Sequence, residues 1–318
     1  MNPAFSVILL TTASGAGYGM LAWLGVLNAL RLLPSSPWFG VPAIFVALAL
    51  STIGLLASTL HLGHPERAWR SISQWRTSWL SREGVMALLT YLPALGFAAA
   101  WWFTGAGSGA AAVLGLLAAA CSLATICCQA MIYATLKPIR QWSNRLVPPN
   151  FLLLALFTGA ACLAGALALD DAAAARLVAA IAVVSAVAAG AVKLAYWRQI
   201  DAAPPVATIE SATGLGALGR VRMLESPHTE ENFLLREMGY AIARKHATRL
   251  RAIALAVGFI APVVLLVLGI VLPPANRFLL PLAALAAVLG IYVERWLFFA
   301  EATHTVTLYY GRRDERPA

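Results

Sequence analysis

Charge is scarce in this sequence. Of 318 residues, 12% are Asp, Glu, Lys or Arg, against 60% hydrophobic residues and a mean hydropathy of +0.77. A soluble globule carries roughly a quarter charged residues, so that class is excluded. Cysteine is scarce too. Cys121, Cys127, Cys128 and Cys162 all lie in apolar runs, and none forms a C-x-x-C pair or a ferredoxin-type run. They read as buried packing residues, and any iron–sulfur chemistry is left to a partner. The alternating strands of an outer-membrane barrel are missing. So are a lipidation motif, a soluble enzymatic domain and the basic region that would precede a signal-peptide core, so the first apolar run reads as a retained helix.

What is present is oil in long runs. Eight stretches, near 5–30, 41–62, 84–104, 110–136, 151–169, 174–196, 251–272 and 277–300, approach or exceed the roughly 20 residues needed to cross a bilayer. The fifth is the shortest. The fold class is therefore all-α: a polytopic inner-membrane bundle of about eight helices. It forms a single membrane domain over 1–318, with one sizeable loop at about 197–250. Of the 23 lysines and arginines, 20 belong to one side: the connections 61–83, 137–150 and 197–251, the tail after 304, Lys193 and Arg295. The positive-inside rule makes that side, and both termini, cytoplasmic. Topology accounts for the net charge of +9 without nucleic acid.

Several motifs have plain readings. Gly15 and Gly19 form G-x-x-x-G, which allows close helix packing. Gly214 to Gly219 fit G-x-G-x-x-G, but residues 197–213 supply no buried strand, so a nucleotide site is rejected in favour of a flexible or partner-hugging loop. Beyond it, Thr229 would cap a helix running through Phe233, Leu234, Met238 and Ile242. That helix is either an interfacial element on lipid or a docking surface for a soluble subunit, with Arg220, Arg222 and Arg236 as candidate docking residues.

One stretch gathers the rare polar chemistry: HLGHPERAWRSISQWRTSWLSREG, His61 to Gly84. Gly54, Ser58 and His61 would share one face of the second helix, and Glu83 would enter the third in its first turn. In the eighth, Glu294 and Glu301 fall on one face, with Arg295 adjoining Glu294 and His304 three beyond Glu301. Ionisable groups at membrane depth are costly and face the bundle interior or a polar cavity. Trp69, Trp75 and Trp79 read as an interfacial belt and most arginines as topology markers. His61 and Glu83 are not needed for either.

At these residues the chain resembles a known family. The stretch above, the loop SATGLGALGRVRMLESPHTEENFLLREMGYAIARKH and ERWLFFAEATH are similar to the membrane-anchor subunits of molybdenum oxidoreductases of the dimethyl sulfoxide reductase type. The resemblance is closest to the anchors of sulfite dehydrogenases whose catalytic subunits face the cytoplasm, and it runs over nearly the whole chain. It implies a molybdopterin catalytic subunit, a four-cluster ferredoxin-like subunit and an anchor exchanging electrons with quinone, with His61 and Glu83 at positions associated with quinol. His64 departs from the small residue expected after H-L-G. On this reading His61 and Glu83 bind quinone and pass protons, with Ser58, His64, Arg67 and Arg82 around them. Arg67 or Arg82 would stabilise negative charge on the quinone or pair with Glu83, and Glu294, Arg295, Glu301 and His304 form a secondary set. The alternatives are quinol oxidation feeding a sulfoxide or polysulfide reductase, an anchor carrying haem b between His61 and His304, and a secondary transporter, which would need inverted repeats that are not visible.

Overall fold

The computed structural model describes residues 2–205, 207–225, 230, 232, 234, 238 and 245–310, and the backbone but not the side chain of His61. Arg236 and most of the helix expected after Thr229 lie outside the described residues. Among those described, the chain is all-helical, and eight helices are long and apolar enough to cross a membrane. These are α1 (Phe5–Ala29), α2 (Pro37–Leu60), α3 (Trp79–Thr104), α4 (Gly109–Ala134), α5 (Val147–Leu167), α6 (Ala172–Ala202), α7 (Ala247–Val271) and α8 (Pro273–Ala300).

Three boundaries differ from the sequence expectation, each for a local reason. The α-helical part of α2 ends at Ala57, and Ser58–His61 continue as a tighter 3-10 turn. Helix α3 starts five residues earlier than expected, because the Ser78 hydroxyl accepts the Ser81 N–H as an N-cap. Glu83 therefore sits beyond the first turn, roughly 6 Å along the helix from its start. Helix α6 continues past the apolar run to Ala202, where Arg251 of α7 pairs with Asp201 through both of its terminal nitrogens, at 2.6 and 3.0 Å.

Helices α1 and α5 form the centre of the bundle. Their most apolar windows are 83% and 72% buried by other helices, against 33–44% for the remaining six. Lipid gives helices no hydrophobic reason to associate, so small residues that let backbones approach do the work. Gly19 and Gly159 make this crossing: a Cβ on Gly19 would come within 1.9 Å of the Ala155 carbonyl oxygen. The short fifth run thus belongs to a core helix.

On one face of the bundle lie the basic connections. There the α4–α5 connection and the chain after α8 hold each other, with Thr305 N–H donating to Pro138 C=O at 3.1 Å and Gln141 bonded to Thr303. A short helix, Ile209–Thr213, is closed by a Thr208/Ser211 capping box and ends at Gly214 in the left-handed region, φ 72°. The G-x-G-x-x-G stretch is thus an exposed turn after a helix.

Candidate functional site

The Glu83 carboxylate is buried inside the bundle, at 4% exposure, near the basic face. Gln129 of α4 donates through Nε2 to Glu83 Oε1 at 2.8 Å and to the Ser14 hydroxyl of α1 at 3.3 Å. Among the described residues Glu83 Oε2 has no hydrogen-bond partner. The Tyr18 hydroxyl of α1 is likewise buried and unpartnered, and it lies within electrostatic reach of Glu83 and Tyr91. Tyr91 in turn shares a 2.6 Å hydrogen bond with Thr52 of α2.

The local backbone explains how four helices converge here. Residues Leu10–Ser14 form a π-turn within α1, a distortion common at functional sites. The Ser14 hydroxyl donates to the Leu10 carbonyl at 2.6 Å. Gly54 of α2 packs against this turn, where a Cβ would meet Ser14 N at 2.7 Å. Only glycine admits such an approach, and it brings the Ser58–His61 turn alongside the first residues of α1.

Outside the carboxylate, residues 62–78 fold over the start of α3. Pro65–Ile72 make a 3-10 helix with no buried residue. The Ser81 hydroxyl donates to the Ser71 carbonyl. Arg82 donates to the carbonyls of Trp75 and Arg76, at 2.9 and 2.7 Å, and lies over the Trp79 ring. It fastens this segment and makes no pair with Glu83. His64 and Arg67 are exposed and share Glu66, at 3.0 and 3.7 Å. Ser58 bonds the Leu55 carbonyl at 2.6 Å.

A second polar cluster occupies the interior between α5, α6 and α8. Glu294 is fully buried and paired with Lys193 of α6 and, at 2.6 Å, with its neighbour Arg295. Arg295 also donates to Asn150 Oδ1 at 2.9 Å. Both cations rest on aromatic faces: Arg295 is 4.3 Å from the Phe151 centroid and Lys193 4.5 Å from that of Tyr196. Nearer the surface, Arg251 holds Glu301 at 2.8 Å as well as Asp201. Burial raises the Glu301 carboxyl above the usual carboxylate range, against the pull of Arg251. His304 is anchored differently: its Nδ1 accepts the Val306 N–H at 3.0 Å, and burial lowers its imidazole.

Of the residues expected from sequence, the structure thus places Glu83 in the bundle interior and Arg82 in the clamp over it. Glu294 and Arg295 form a separate buried cluster, Glu301 is held by Arg251, and His304 caps the tail. Arg220 and Arg222 are exposed on the loop beyond Gly214. Gln129, Tyr18, Asn150 and Lys193 were missed as site residues. A glutamine inside the α4 apolar run was a usable signal; a tyrosine among eight was not.

This architecture can be set beside known proteins. The model of the DMSO reductase anchor subunit (DmsC) family matches residues 39–311. The chain is also similar to a sulfite dehydrogenase subunit of Allochromatium vinosum, at 36% identity over 325 residues, covering 98% of this chain and 99% of the relative. An eight-helix membrane bundle with its polar residues gathered near one face, matched over these lengths, belongs to the DMSO reductase anchor subunit family, the integral membrane part of a molybdoenzyme complex.

Proposed function

We propose that this anchor carries a quinone site at Glu83 and passes electrons from an iron–sulfur subunit to quinone, with sulfite oxidation at a molybdopterin subunit as their source. The observation that carries the reading is the buried Tyr18 hydroxyl, which has no hydrogen-bond partner among the described residues, within electrostatic reach of the buried Glu83 carboxyl, which is held on one oxygen by Gln129. Buried polar groups without partners are expensive, so a site that keeps one beside a carboxyl held on a single oxygen is suited to a ligand with its own donors and acceptors. A quinone headgroup fits in chemistry, since its two oxygens accept hydrogen bonds and, on reduction, take protons.

A bound quinone supplies the two-electron, two-proton acceptor. The chain's residues do the rest. Gln129 holds one oxygen of Glu83 and leaves the other able to exchange a proton. His61, on the adjoining 3-10 turn, is the second proton-transfer group, because an imidazole titrates near neutrality. The Tyr18 hydroxyl orients the ring by hydrogen bonding. Arg82 keeps the covering segment closed over the site and limits water access. His64, Arg67 and Ser58 line its approach.

The positive-inside rule makes the basic face cytoplasmic. Arg220 and Arg222, with the exposed Leu218 and Leu224 beside them, suit a docking surface for the iron–sulfur subunit there. The name of the Allochromatium relative, a sulfite dehydrogenase subunit, supports sulfite as the electron source.

A photoreactive quinone tests this. In the assembled complex it should label peptides from residues 58–84 and the start of α1, in competition with unmodified quinone. Labelling confined to α6 and α7 would overturn the assignment. Reporter fusions at positions 36 and 107 should read periplasmic and one at 145 cytoplasmic; the reverse pattern overturns the orientation.

A further inference from the structure

The basic face holds a cleft that the quinone site does not use. It is lined by Arg140 on the α4–α5 connection, Ala207 beyond α6, and His304, Thr305 and Thr307 beyond α8. It contains about 300 Å³ of empty space, part of it open to solvent, and among the described residues no acidic side chain lines it. Helices α4, α6 and α8 end at Ala134, Ala202 and Ala300, so the cleft lies past the spans, at the level of the connections.

Its two polar anchors are donors with capacity left. Arg140 donates through Nη1 to the Ala203 carbonyl, while its Nε is buried and has no hydrogen-bond partner among the described residues. The guanidinium edge formed by Nε and Nη2 is one that a carboxylate meets with two parallel bonds. Among the described residues no carboxylate pairs with Arg140. The acids that precede the cleft walls in the chain, Asp201 and Glu301, are both held by Arg251. Together with Lys193, Glu294 and Arg295 they make a set of three cations and three carboxylates, and Arg140 stands outside it. His304 Nδ1 accepts the Val306 N–H at 3.0 Å, which leaves the proton of the neutral ring on Nε2 and makes that nitrogen a donor. A cation without a carboxylate, beside a fixed donor, suits an anion.

The cleft is continuous with the arginines assigned to docking. Thr208, next to Ala207, caps the short helix Ile209–Thr213. Glu210 of that helix accepts the N–H of Val221, between Arg220 and Arg222, at 3.2 Å. The Tyr309 hydroxyl donates to the Ala212 carbonyl of the same helix at 2.8 Å. One wall thus joins the cleft, the chain after α8 and the docking loop.

We propose that the cleft receives a carboxylate side chain of the iron–sulfur subunit, held by two parallel bonds from Arg140 and a third from His304. The assignment rests on the reading that this subunit docks on the basic face. A partner that meets Arg220 and Arg222 there is acidic over the same wall, and a planar carboxylate matches the free edge of Arg140.

Zero-length carbodiimide coupling tests this in the assembled complex. Arg140→Lys keeps the charge and offers an amine, and position 140 should then couple to an aspartate or glutamate of the iron–sulfur subunit, identified by mass spectrometry. No coupling, or coupling only to acids of this chain such as Glu210 or Asp314, would overturn the proposal. Arg140→Met should weaken association of the soluble subunits with anchor-containing membranes by about 10-fold or more, as loss of one partner of a buried charge pair does. Arg145→Met, at an exposed arginine of the same connection outside the cleft, should cost less than about twofold. Equal losses would reduce the effect to general charge and overturn the cleft. If the Arg140 variants fail to accumulate, the native chain decides: diethyl pyrocarbonate should modify His304 in salt-stripped membranes and spare it in the complex, and equal modification overturns the proposal. A lipid phosphate or free phosphate seated on Arg140 in a cryo-EM map of the complex would do the same. Soluble subunits that bind equally well to membranes lacking the anchor remove the docking reading itself, whereas anchor-dependent binding without coupling at position 140 removes only the cleft.

Discussion

The two buried carboxylates, Glu83 and Glu294, invite comparison. They sit at similar distances along their helices from the same face, roughly 6 and 9 Å by helical rise, yet their surroundings are opposite. Glu294 has an ion-pair partner on each oxygen, and the cations that hold it lie over aromatic rings. Glu83 has one neutral donor on one oxygen and, among the described residues, no partner on the other. A carboxylate held on both sides fixes helices; one left open on one side can meet a ligand. Burial alone, which both residues share, separates neither role.

The largest expected effect is at the closed carboxylate. Glu294→Gln leaves Lys193 and Arg295 as buried cations without a carboxylate, a loss on the order of 3–5 kcal/mol in bundle stability. The anchor should fail to accumulate in membranes, measured by its abundance in membrane fractions. A well-assembled, quinone-active Glu294→Gln complex would erase the contrast with Glu83.

An intermediate effect is expected where the covering segment is fastened. Arg82→Met removes two hydrogen bonds to carbonyls and a ring contact, together about 1–3 kcal/mol. Limited proteolysis should then cut within residues 62–78 while the eight helices remain protected. Unchanged resistance would mean the clamp is redundant.

The smallest effect is expected at the rim. His64→Ala and Arg67→Ala alter exposed side chains that share Glu66. Quinone-linked turnover should change by less than about twofold, as surface substitutions generally do. A larger fall would move the site outward, toward the solvent-facing segment.

The sequence carried the membrane plan because apolar runs and the asymmetry of lysine and arginine are one-dimensional signals. Glu83 and the Glu294–Arg295 pair also stood out as rare charges at membrane depth. What separates their roles could not be read along the chain. Lys193 looked like a topology marker near a helix end, and only the packing of α6 against α8 turns it into the partner of Glu294. Gln129 links Glu83 to Ser14, on the π-turn of α1 that Gly54 admits through a contact between residues 40 apart. The 3-10 turn before His61 and the early start of α3 depend on local hydrogen bonds, and helical periodicity does not encode them.

The most direct measurement is the ratio of quinone-linked to artificial-acceptor turnover in the assembled complex carrying Glu83→Gln. The change removes an ionisable group but leaves the helix, the basic-face count and the soluble subunits as they were. Loss of a positioned proton-transfer group costs on the order of 100-fold, so the ratio should fall by about that factor while artificial-acceptor turnover persists. A ratio within about twofold of the native complex, with the anchor fully assembled, would contradict a quinone site at Glu83.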